Sequence, residues 1–83
     1  MTLSLLQAGN HLSLEFEPSK LETVRSHIRE QYPDMLSERV GIVTVVRFGG
    51  EKFTFQSEWD DPCLISGSDG GDELLREIYR LLT

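Results

Sequence analysis

Residues 40–57 read VGIVTVVRFGGEKFTFQS, two runs of β-branched and aromatic residues separated by the pair Gly49-Gly50. Two adjacent glycines supply the positive φ angles that both central positions of a type I′ turn require, so the stretch predicts a β-hairpin. A two-residue turn pairs Phe48 with Glu51, Val46 with Phe53, Thr44 with Phe55 and Ile42 with Ser57. Because opposite residues share a face, one face of the hairpin is predicted to be apolar. That face comprises Ile42, Val46, Phe48, Phe53 and Phe55.

The other face of this hairpin is mixed, and water could cover it. It carries Val43, Val45, Arg47, Lys52, Thr54 and Gln56. An antiparallel sheet with one apolar face needs a second layer on that face. Amphipathic segments on both sides of the hairpin in the sequence are the candidates for this layer.

A first hairpin is predicted from residues 2–8 and 11–17 around Gly9-Asn10. Its second arm alternates, with Leu12, Leu14 and Phe16 on one side. A two-residue turn sets Leu5 opposite Leu14 and Leu3 opposite Phe16, which gives one apolar face. The competing interpretation is a short helix that starts at Thr2 and ends at Gly9.

The first helix is predicted over residues 19–31, with Ser19 and Glu22 forming a capping box at its start. Pro33 ends it, because a proline moves the preceding residue out of the helical region. Leu21, Val24, Ile28 and Tyr32 fall on one side at helical spacing. Residues 34–39 are predicted to form a connection, with Met35 and Leu36 against the edge of the core.

The second helix is predicted after a less regular stretch, residues 58–71. Asp60-Asp61-Pro62 indicates a turn, residues 63–66 a further strand, and residues 67–71 a loop in which Ser68 or Asp69 caps the helix. The helix has an apolar side of Leu74, Leu75, Ile78, Leu81 and Leu82. We therefore expect a single α+β domain, residues 1–83, with the order β-β-α-β-β-(β)-α. The architecture is a two-layer sandwich, an antiparallel sheet of four to five strands with both helices on one face.

Composition restricts the class of protein. The 83 residues are 39% hydrophobic and 27% charged, typical of a globular domain, and the net charge is −6. Residues 58–83 carry seven acidic and two basic side chains. Such a chain lacks the cations that bind nucleic acid or an anionic membrane surface. We find neither a signal peptide nor an apolar run that could span a membrane, and Cys63 has no partner for an internal disulfide, so we expect a cytoplasmic protein.

No catalytic, metal or cofactor site is predicted. His11 and His27 have no nucleophilic or acidic residue at a spacing typical of a catalytic site, so both are expected at the surface. Cys63 follows a proline among acidic residues and is expected to be a small buried hydrophobe. The acidic residues after position 57 do not match the spacing of a calcium-binding loop, and GSDGG at residues 67–71 lacks the lysine of a phosphate-binding loop.

The sequence predicts a non-enzymatic interaction or regulatory domain that binds a basic protein partner. Trp59 is either a core residue or an aromatic anchor framed by acids. The predicted partner-binding residues are Glu58, Trp59, Asp60, Asp61, Asp69, Asp72 and Glu73. An immunity or inhibitor protein that blocks a basic enzyme, and a small accessory subunit or enzyme, are the alternatives. A homodimer through an exposed sheet edge is compatible with all three.

Overall fold

The computed structural model describes residues 3–57 and 61–83 and shows one antiparallel sheet with two α-helices. The strands are β1 (Leu3–Ala8), β2 (His11–Phe16), β3 (Leu36–Val40), β4 (Val43–Phe48), β5 (Glu51–Gln56) and β6 (Cys63–Ser66). The helices are α1 (Leu21–Gln31), preceded by a 3-10 turn (Pro18–Lys20), and α2 (Asp69–Leu82). The strand order is β1-β2-β6-β5-β4-β3. The α+β class is confirmed, but the described residues form six strands where we expected four to five.

Both predicted hairpins form in the predicted register. In the second hairpin Phe48 pairs with Glu51 and Val46 with Phe53, and Gly49 and Gly50 take φ angles of 61° and 78°. In the first hairpin Leu5 pairs with Leu14. The alternative of a short helix before Gly9 is therefore wrong. The period-two alternation of these strands carried enough information to fix their pairing.

The predicted connection at residues 34–39 is wrong, because Leu36–Val40 forms β3 at the edge of the sheet. All five of its residues are exposed, so no buried side chain marked it as a strand. Backbone pairing with β4 through the turn at Gly41 holds it in place. Ile42 lies in that turn and is 79% exposed, so the predicted pair of Ile42 with Ser57 and its core position are also wrong.

The two helices begin differently. The Ser19–Glu22 capping box does not form, because residues 18–20 wind as a 3-10 turn that continues directly into α1. Ser19 consequently lies inside a helical turn, and its hydroxyl donates to the Glu17 carboxylate (3.3 Å). At the start of α2, by contrast, the Ser68 hydroxyl accepts a hydrogen bond from the Gly71 N–H (3.0 Å), as one of the two predicted caps would.

The core lies between the sheet and both helices. Leu14 and Phe53 from the strands and Leu75 and Ile78 from α2 are the largest fully buried side chains. α1 adds Val24 and Ile28 to the same cluster. The Phe48 and Phe53 rings stack at 4.3 Å. Both helices therefore cover one face of the sheet. None of the described helices is both long and apolar enough to cross a bilayer.

Candidate interaction surfaces

The acidic residues predicted to bind a partner do not form one described patch. Asp61 is exposed and lies before the start of β6, near the point where the Phe16 N–H donates to the Pro62 carbonyl (3.0 Å). Asp69 is fully exposed and lies beyond the other end of β6. The strand between them advances about 10 Å. Glu58, Trp59 and Asp60 fall outside the described residues, so the choice between core and anchor for Trp59 stays open.

Asp72 joins α2 to β2. It is 7% exposed, and its Oδ1 accepts a hydrogen bond from the Leu12 backbone N–H (2.9 Å) while its Oδ2 lies 3.1 Å from Nδ1 of His11. Desolvation raises the pKa of the Asp72 carboxyl, but the hydrogen bonds from Leu12, His11 and Ser66 outweigh it and leave the pKa below its ordinary value. Asp72 is therefore occupied by the fold and does not present its carboxylate to a partner.

Glu73 remains on the surface, where it forms an ion pair with Arg76 one turn along α2. Arg80 and Glu77 form a second such pair (2.6 Å), which lowers the pKa of Glu77 and raises that of Arg80. Exposed pairs of this kind contribute little to stability. Of the predicted acidic set, the described residues thus leave Asp61, Asp69 and Glu73 exposed to solvent.

One cluster of described residues has metal-ligand chemistry: His11, Asp69 and Asp72, whose ligand atoms lie within 4.8 Å of one another. An imidazole and two carboxylates could hold a divalent cation. However, both Asp72 oxygens already accept hydrogen bonds from the fold. The start of a helix also carries partial positive charge, which opposes a cation. We assign no metal to this cluster.

The remaining nucleophile and base candidates lie apart. His27 is half-buried on the flank of α1, facing the Leu82 end of α2. Cys63 is half-buried and pairs with Glu15 and Gln56, on the sheet face away from the helices. The expectation that Cys63 packs in the core is therefore wrong: strand alternation turns Leu64 inward and Cys63 outward.

The sheet surface that faces away from both helices, which we call the outer face, is covered by no described helix. Its central row crosses all six strands in the register Leu6, Ser13, Ile65, Thr54, Val45 and Glu38. Flanking positions add Val43, Val40 and Leu36. Leu36 is 67% and Val40 51% exposed, while Ile65 and Val45 are half-buried. The row thus alternates apolar with polar side chains, and the flanking positions add further apolar ones.

Charge on the outer face is balanced. By strand alternation it carries two basic residues, Arg47 and Lys52, and two acidic residues, Glu15 and Glu38. The whole chain has a net charge of −6, so this excess of negative charge lies elsewhere. The outer face is thus a mixed surface of zero net charge on an acidic protein.

A second concave feature, which we call the α1 cleft, opens between α1 and the sheet. It has a volume of about 440 Å³. Leu21, Val24 and Ile28 of α1 line one side, and the strand residues Val46, Phe55 and Leu64 line the other. Arg25 and Arg29 contribute the charged groups at its α1 side.

Neither feature could be read fully from the sequence. The mixed outer side of the second hairpin was predicted, but its continuation through Ile65 and Leu6 depends on the strand order. The spacing of Arg25 and Arg29, one helical turn apart, was visible, but the cleft beside them was not. Comparison with known proteins gives no match to a family model, a curated protein or a solved structure.

Proposed function

We propose that this chain is a small non-enzymatic protein-interaction domain that binds its partner through the outer face. One observation carries the proposal: the outer face spans all six strands, bears the apolar side chains Leu6, Ile65, Val45, Val43, Val40 and Leu36, and is covered by no described helix. Several apolar side chains grouped on one uncovered surface favour a binding site. A sheet covered on one face by helices and open on the other presents such a patch on a rigid support.

The partner we propose is a protein with an apolar centre and a basic rim. The apolar centre would pack on Ile65, Thr54 and Val45, which are half-buried and pre-organised by strand pairing. The basic rim is proposed because the chain has a net charge of −6 while the outer face itself is neutral. Complementary charge speeds encounter and sets orientation, so association should weaken as salt rises. Exposed acids such as Asp61 and Glu73 would act in this steering role.

The size of the outer face limits the affinity. Six strands at about 4.8 Å spacing and about 17 Å length give a surface of roughly 500 Å². Standard interfaces bury about 800 Å² on each partner. The proposed interface is therefore at the small end of the range, unless the partner also contacts an exposed edge strand such as β3.

The proposal is tested with two substitutions that add the same charge. Ile65→Lys places an ammonium in the middle of the outer face, whereas Thr23→Lys places one on the exposed side of α1. The full chain and both variants are immobilised, and proteins are captured from the source cell at low and high salt. We expect a basic protein that binds the native chain and Thr23→Lys at low salt but not Ile65→Lys. Equal capture by the two variants, with both folded by circular dichroism, would refute the outer face as the binding surface.

Sedimentation of the native chain shows whether it forms a dimer, in which case the partner is a second copy of the chain. A dimer that Ile65→Lys dissociates would be a dimer through the outer face. A dimer that survives Ile65→Lys would instead favour pairing through the edge strands β1 or β3, whose outer backbone groups have no described strand neighbour.

A further inference from the structure

We propose that the α1 cleft binds an apolar carboxylate, an acyl chain that ends in a carboxylate group. The cleft lies on the helix-covered side of the sheet, opposite the outer face, so this site is independent of the proposed protein interaction. Its volume of about 440 Å³ falls within the range of roughly 300–1,000 Å³ that small-molecule sites occupy.

The interior of the cleft suits a hydrocarbon chain. Its accessible apolar surface comes from the partly buried Leu21, Met35 and Phe55, which lie over the buried Val24, Ile28, Val46 and Leu64. Met35, partly buried at the edge, has a flexible side chain that can adapt to chains of different length. The polar groups that the described lining offers besides the two arginines are the hydroxyls of Ser37 and Thr44. Such a lining would not recognise a polar or highly charged body.

The α1 side of the cleft suits an anion. Arg25 and Arg29 are one helical turn apart on α1, and they are the charged members of the described lining. Two guanidinium groups without an acidic neighbour in the lining are notable in a chain of net charge −6. The planar guanidinium fork matches a carboxylate in a bidentate pair. This combination of a cationic side and an apolar interior fits a molecule with one anionic end and an apolar tail.

Arg29 is the better anchor of the two. Arg25 already pairs with Glu22 at 3.1 Å. Arg29 is exposed and forms no ion pair within residues 3–57 and 61–83. Binding a carboxylate at Arg29 therefore requires no existing pair between described residues to be broken.

Decanoate is a suitable probe, used below the concentration at which it forms micelles. Titration into the full chain, followed by calorimetry and by amide NMR, should show saturable binding with shifts centred on Val24, Ile28 and Phe55. Decyltrimethylammonium carries the same tail with the opposite charge and should bind at least about tenfold more weakly, because it loses the charge-assisted hydrogen bonds. No saturable binding, equal binding of the two amphiphiles, or shifts centred on the outer face would overturn the proposal.

Two variants locate the anionic end. Arg29→Gln should raise the Kd for decanoate about tenfold. Arg76→Gln, which removes an exposed arginine from α2, should leave it unchanged. An equal effect of the two substitutions would show that net charge alone attracts the ligand and would overturn the site. Ile65→Lys should leave decanoate binding intact, so failure of this proposal and failure of the protein-interaction proposal can be told apart.

Discussion

The two faces of the sheet differ both in composition and in what covers them. β4 illustrates this: Val46 and Phe48 face the helices and are buried, while Val43 and Val45 face outward and are half-buried. Both sides of this strand carry valine residues, although Arg47 also faces outward. The helices cover only one side because their own apolar residues, such as Val24 and Leu75, have to be buried against it. The comparison teaches that the apolar residues of a strand become core only on the face that a second layer covers.

The largest expected effect comes from the same substitution made on the two faces. Leu14→Ala removes a side chain that is 0% exposed on the inner face and should lower the free energy of unfolding by about 2–5 kcal/mol. Leu36→Ala, at the exposed edge of the outer face, should change it by less than about 0.5 kcal/mol. Urea denaturation measures both. Similar losses at the two positions would mean that the outer face is covered in solution.

A second, smaller effect separates the two glycines of the central hairpin. A Cβ added at Gly49 would lie 2.7 Å from Cδ1 of Leu74 and 3.1 Å from Cε1 of Tyr32, whereas a Cβ at Gly50 meets nothing within 4 Å. Positive φ costs an alanine roughly 1–2 kcal/mol at either position. Gly49→Ala should therefore destabilise the protein by more than Gly50→Ala, by about 1 kcal/mol for the contact with the inner layer.

Thermal unfolding of both variants tests this difference. Only the difference in stability between the two variants is needed. Both variants place an alanine at a positive φ angle, so that cost cancels in the difference. If Gly50→Ala proved the more destabilising of the two, the packing of Leu74 and Tyr32 against the turn would be wrong.

The smallest effect concerns the attachment of α2 and depends on pH. The folded pKa of Asp72 lies below its unfolded value, so its carboxylate contributes stability above the unfolded pKa, near 4. That contribution is lost as the pH falls through the folded pKa. The difference in stability between the native chain and Asp72→Asn should therefore be larger at neutral pH and shrink as the pH falls below about 4.

The urea midpoint of both proteins, measured across this pH range, gives that difference directly. Glu73→Gln alters the neighbouring exposed carboxylate and is the matched control. A pH-independent gap for Asp72→Asn, or the same gap for Glu73→Gln, would show that the hydrogen bonds to Leu12 and His11 do not carry the effect.

Much of the fold could be predicted because local rules and long-range packing agree. The turn at Gly49-Gly50 and the alternation of Leu12, Leu14 and Phe16 determine both hairpin registers. β3 was missed since an exposed edge strand has no buried face to give it periodicity. The capping box at Ser19 failed because the preceding 3-10 turn places Ser19 inside the helical path, which the motif alone does not show.

The candidate surfaces were less predictable, because they depend on which residues distant in sequence come together. Acidic residues close together in the sequence were expected to form one surface, but β6 separates Asp61 from Asp69, and the fold uses Asp72 internally. Residues that are close in sequence can be held apart in space when a strand lies between them, and closeness in sequence alone does not show this. The outer-face row from Leu6 to Val45 is assembled from five strands, and its pairing of β2 with β6 joins segments that are distant in sequence.

The sequence by itself determined the α+β class, the two hairpins with their registers, and both helices, because these depend on side-chain period and turn geometry within a few residues. The tertiary structure decided the strand order, the position of β3, the role of Asp72, and the existence of the outer face and the α1 cleft. These depend on which distant segments meet. The need to bury both helices against one face of the sheet decides which segments meet. This requirement involves the whole fold, so no local sequence pattern shows it.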